Sequence, residues 1–238
     1  MQGKQLEKKK LGRGFWVTLL VIIVLIPLTV GISWYMGDRK YYIASVLIMI
    51  YSIIPFFAGF ESRRPQAREL VTLAVMCAIA VASRAAFIWA PNFKPIGGIT
   101  MITAMAFGPQ AGFMTGSLSL IVSDMIFGQG PWTPWQMLGF GLVGFLGGVL
   151  FSGRRVRLVP LVIYGFLSVF VLYGVLLDTA SMLMYNAAPS WQLWLATCAS
   201  GVVFNLIHAG STAVFLLVLY KPLLSKLARV KEKYGLLE

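Results

Sequence analysis

Three ionisable side chains fall inside apolar stretches where charge is costly: Arg84, Asp124 and His208. At membrane depth such groups are candidates for ligand contact or ion coupling. Arg84 and Asp124 each come late in their apolar run, where they can pair or touch a solute. His208 lies deep in the last run, with Asn205 one turn before it. That pattern reads first as hydrogen-bonded packing and second as a proton carrier. Asp178, at the end of a run, reads as a solvated carboxylate.

Three loops between the runs add hydrogen-bonding and aromatic groups. They read WAPNFKP over 89–95, FGQGPWTPWQ over 127–136, and a Tyr185, Asn186, Pro189, Trp191, Trp194 pattern after Asp178. Pro and Gly shape such loops, amides and Lys supply hydrogen bonds, and Trp offers flat apolar surface with one polar atom. A mouth for an organic solute would draw on Asn92, Lys94, Asp124, Gln129, Trp132, Trp135, Asn186 and Trp191. The competing reading is an interfacial belt of aromatic anchors. It explains the Pro-Trp-Thr-Pro-Trp cluster less well, because two prolines also fix the loop shape.

Enzyme chemistry has little to work with. There is no G-x-x-x-x-G-K-[ST] loop for ATP, no H-E-x-x-H and no G-x-S-x-G. One histidine excludes a multi-histidine metal centre, and Cys77 and Cys198 read as packing residues. The chain is expected to be no enzyme and to hold no cofactor or metal of its own.

The elements that carry these residues are membrane helices. Hydrophobic residues make up 58% of the 238, far above the share in soluble domains. Eight spans are predicted: 15–36, 41–60, 69–89, 96–107, 111–127, 132–151, 158–177 and 193–220. The first is too long for a signal-peptide core and is expected to be retained. The fourth is short for a full crossing. The net charge of +12 is clustered between spans, which fits the positive-inside rule better than nucleic-acid binding. Sixteen Lys and Arg lie on one set of loops and tails, against three on the other. Both termini are therefore expected in the cytoplasm of a multi-pass plasma-membrane protein. A basic joint at 61–68 divides the chain into 1–65, with two plain apolar helices, and 66–238, with six spans and a basic tail.

Small residues recur every fourth position in three places. Ala74, Ala78, Ala82 and Ala86 form one ladder, Gly108, Gly112 and Gly116 a second, and Gly144 and Gly148 a third. In lipid such stripes let helices approach closely. The glycine ladders read as packing within the bundle. The alanine ladder suits either a partner helix or internal packing.

These features together resemble the substrate-binding membrane subunits, or S components, of energy-coupling factor (ECF) type ABC transporters. The resemblance covers the six spans from about residue 69 to 221. It rests on Ala74/Ala78/Ala82, on Asn92-Phe-Lys-Pro95 followed by Ala106-Phe-Gly-Pro-Gln-Ala-Gly-Phe113, and on the stretch from Gly128 to Met137. The last is similar to a subgroup associated with cobalamin uptake. The resemblance implies an all-α six-helix bundle, here preceded by two extra helices, that binds a vitamin from outside. It further implies docking through Ala74, Ala78 and Ala82 on a transmembrane coupling subunit with two ATPase subunits, which use the ATP. The alternatives are another vitamin or precursor, or a self-sufficient proton-coupled transporter using Arg84, Asp124 or His208. An intramembrane enzyme acting on a lipid-like substrate is a third.

Overall fold

The computed structural model describes residues 13–36, 43–44, 46–48, 50–51, 54, 67–154, 156–186 and 189–235. Among the described residues the chain is helical, with no strand. This is an all-α, polytopic membrane protein. Among the described residues, five helices are long and apolar enough to cross a membrane.

Helix α1 runs from Arg13–Leu20 through a widened π turn, Val21–Leu25, into Ile26–Met36. The described residues between 43 and 54 are helical, and the remainder of the predicted 41–60 span lies outside the described residues. The bundle proper comprises α2 (Ala67–Ala86), α3 (Ile96–Phe107), α4 (Pro109–Phe127) and α5 (Thr133–Phe151). It continues with α6, which is Leu158–Leu167, a π turn at Ser168–Tyr173 and Gly174–Tyr185, and closes with α7 (Trp191–Tyr234).

The shortness of α3 has a structural cause. Loop 87–95 leaves the end of α2 and turns inward, so that Lys94 meets Ser211. Ser211 lies ~30 Å along α7 from its start, at 1.5 Å per residue. Helix α3 therefore begins beside the middle of α7 and runs for only twelve residues. Gly108, at φ +96°, then reverses the chain directly into α4, whose first residue is Pro109. A side chain at that φ is strained, which favours glycine, and proline suits a first helical position.

Helices α6 and α7 exceed their predicted lengths. Predicted to stop at 220, α7 continues past Lys221 and Pro222 to Tyr234, with Gly235 as a left-handed cap. Leu223, Leu224, Leu227 and Val230 pack on the bundle core, and that apolar face carries the helix past the proline.

The glycine ladders close on each other. A Cβ at Gly112 would lie 2.7 Å from the Gly144 carbonyl oxygen, and one at Gly116 would lie 2.6 Å from the Phe140 carbonyl carbon. Helices α4 and α5 thus touch backbone to backbone, which maximises dispersion contact in a lipid solvent. Beside this seam, α1 packs on another flank. Val21 and Ile26 join Trp135, Leu138 and Leu142 of α5 and Ala180, Met182 and Leu183 of α6 in one apolar cluster. Phe15 stacks on Phe145, with centroids 5.4 Å apart.

Candidate functional site

Polar groups converge where α2 and α4 end, α5 begins and the 87–95 loop turns in. Arg84 Nη1 donates to Asp124 Oδ1 at 2.7 Å, and Thr133 Oγ1 donates to Asp124 Oδ2 at 2.7 Å. Asp124 is 1% exposed, so its charge depends on these two partners. Three helices are joined by one carboxylate. Lys94 donates its ammonium to the Phe87 carbonyl, while its backbone N–H and C=O are both held by the Ser211 hydroxyl. Desolvation lowers the Lys94 pKa below its ordinary value, and the positive charge of Arg84 acts in the same direction.

Aromatic rings wall this region. Phe87, Phe93 and Phe215 contact one another with centroids 5.1–6.0 Å apart. Beside them, His208 sits against Phe140 at 5.3 Å and Tyr173 at 5.1 Å. The widened turn of α6 carries Tyr173, and such turns often mark functional positions. Further along α6 and α7, Asn205 Nδ2 donates to Asp178 Oδ2 at 2.9 Å. A planar solute could find apolar stacking surface here, with a few fixed donors and acceptors to orient it.

A second feature lies on the outside of α2. Ala74, Ala78, Ala82 and Ala86 are all exposed. The first three line an open apolar groove of about 830 Å³, whose other wall is Met114, Leu118, Val122 and Ile126 of α4. The alanines, set among Leu70, Leu73 and Val81 on the α2 wall, leave a trough along the helix pair.

The model of the family described as "ECF-type riboflavin transporter, S component" matches residues 65–225, most of the chain. The chain belongs to this family. S components work with an energy-coupling module, and the family is one of transporters, not enzymes. Similar curated proteins include a UPF0397 protein of Aliivibrio salmonicida, 26% identical over 159 residues (62% of this chain and 80% of that one). A UPF0397 protein of Vibrio atlanticus is 28% identical over 152 residues (62% of this chain and 81% of that one). No solved structure matches. The family description names riboflavin, and the comparisons give no support to the cobalamin subgroup.

Within this S component the predicted contact residues separate into groups. Lys94 and Asp124 fall in the polar region around Arg84. Asn92 lies at the turn of the inward loop, in a left-handed conformation with φ 60°. Gln129 is exposed, and the Trp132 ring lies over Gly130. Trp135 is fully buried, within α5, in the apolar cluster that also receives α1. Asn186 Nδ2 donates to the Met182 carbonyl and so finishes α6. Trp191 stacks on Trp194 at 4.7 Å, and Trp194 donates to Thr179. Sequence reasoning missed Phe140 and Tyr173. The available signal was glycine beside each, Gly139 and Gly174, where rings and amides from neighbouring helices come close.

Proposed function

We propose that this S component captures a flat, ring-bearing vitamin of the riboflavin kind and delivers it to an ATP-driven coupling module. The observation that carries this reading is the family match over residues 65–225, whose description names riboflavin. Stacking surface beside Arg84, Lys94 and Asp124 is chemically suited to a planar heterocycle with a polar chain. Cobalamin ranks behind it, resting on the 128–137 stretch alone.

In this reading the exposed alanine groove receives a helix of a transmembrane coupling subunit, and two ATPase subunits supply the nucleotide chemistry. Support comes from the membership, since S components work with such a module, and from small residues that permit close helix approach. The loop end faces outward and both termini face the cytoplasm of the plasma membrane, as the clustering of Lys and Arg favours.

The test is riboflavin binding to the purified chain, read by flavin fluorescence, with cobalamin as competitor. Uptake into vesicles is then measured with and without the coupling module and ATP. Binding by the solitary chain, with uptake only when module and ATP are present, supports the reading. Absent riboflavin binding overturns the vitamin assignment. Accumulation driven by a pH gradient alone replaces the subunit reading with a self-sufficient transporter.

A further inference from the structure

The sequence reading treats His208 first as a packing residue, but its surroundings do not fit that role. The side chain is buried, and neither Nδ1 nor Nε2 has a hydrogen-bond partner. Its ring neighbours Phe140 and Tyr173 pack at 4.4 Å from each other. A phenylalanine would fill this aromatic position without stranding two polar atoms, and a buried polar group without a partner is costly. A second orphan lies on α5, the helix that carries Phe140. The Oε1 of Gln136 is buried and unpartnered, and Gln136 lies one turn from Phe140 along α5. One turn beyond His208 on α7, Ser211 holds the inner end of the 87–95 loop. His208 thus touches the Phe140 and Tyr173 rings, and Gln136 lies one turn of α5 from Phe140, near the place where the loop meets α7.

We propose that His208 and Gln136 are hydrogen-bonding contacts for the ring edge of the captured vitamin. A neutral imidazole offers one donor and one acceptor, and the Gln136 oxygen offers an acceptor. The matching ligand edge is an N–H beside a carbonyl on a planar heterocycle. This inference rests on the riboflavin reading and deepens it. Riboflavin carries such an edge, an imide N–H between two carbonyls.

The experiment uses the full chain in lipid nanodiscs. With one histidine in the sequence, 15N-histidine labelling reports on the two ring nitrogens of His208 alone. Adding riboflavin is expected to move at least one ring-nitrogen resonance. Affinity is measured in parallel for riboflavin and its N3-methyl analogue, using wild type, His208→Phe and Gln136→Met. Wild type is expected to prefer riboflavin by about tenfold, the scale of one hydrogen bond in a dry site. The variant that removes the acceptor of the N3–H should erase most of that preference, while the other should weaken binding of riboflavin and its analogue alike. Should one variant fail to fold, the other and the wild-type spectrum still decide. Riboflavin binding with an unmoved ring spectrum and preserved preference in the variants overturns the contact and leaves the vitamin assignment standing. No riboflavin binding by wild type overturns the assignment and this contact together.

Discussion

Two stripes of small residues share a four-residue spacing and meet opposite fates. Gly112 and Gly116 of α4 are closed against α5, so that neither tolerates a Cβ without backbone movement. Ala74, Ala78 and Ala82 of α2 face an open trough with nothing of the described chain across it. Spacing brings small residues to one stripe, and the neighbouring surface decides their use. Glycine allows the backbone-to-backbone approach that builds the bundle. Alanine leaves a smooth surface that another helix can meet without first displacing side chains. The closed stripe is structure, and the open one is available for partnership.

The largest expected effect breaks the closed stripe. Gly116→Val places methyl groups into the Phe140 backbone and is expected to abolish the folded protein, read as loss of a monodisperse peak after purification. Next comes the carboxylate that joins α2, α4 and α5. Arg84→Met leaves Asp124 buried without its cation and is expected to cost about 3 kcal/mol, seen as a fall in thermal midpoint. The double variant Arg84→Met, Asp124→Leu should recover most of that loss. A single variant as stable as wild type means that the pair bears no load.

Trp135→Ala removes a fully buried ring from the α1-facing cluster. It is expected to lower stability by about 3 kcal/mol while leaving riboflavin affinity within about twofold, which separates this flank from the ligand region. The smallest effect concerns Lys94, whose folded-state pKa lies below its ordinary 10.5. Between those two values the unfolded chain binds more protons, so stability rises with pH in the window ending at 10.5. Thermal melts across that window should show a slight upward slope in wild type and a flatter one in Lys94→Met.

Much of the architecture was legible because lipid imposes long apolar runs. The α3 bounds were read correctly from sequence, and those of α1, α4 and α5 to within a few residues. The α7 end was missed because Lys221-Pro222 resembles a boundary, whereas the apolar face from Leu223 to Val230 continues the packing. The common depth of Arg84 and Asp124 left pairing or contact with a solute open, and the structure pairs them. Sequence order puts Trp135 in a loop-like motif, while the structure buries it within α5 in the cluster that α1 joins. The His208 surroundings were illegible in sequence: Phe140 and Tyr173 come from other helices, and no local pattern announces them.

The proposed separation of a docking groove from a ligand region is tested most directly by one paired measurement on Ala78→Leu and Ala82→Leu. Riboflavin affinity is measured on the solitary subunit, and ATP-dependent uptake on the same variants reconstituted with the coupling module. The side chains added here enter the open trough, so affinity and thermal midpoint should match wild type while uptake falls by about a hundredfold or more. Binding and uptake lost in parallel, or uptake left intact in both variants, would contradict a docking role for the alanine stripe.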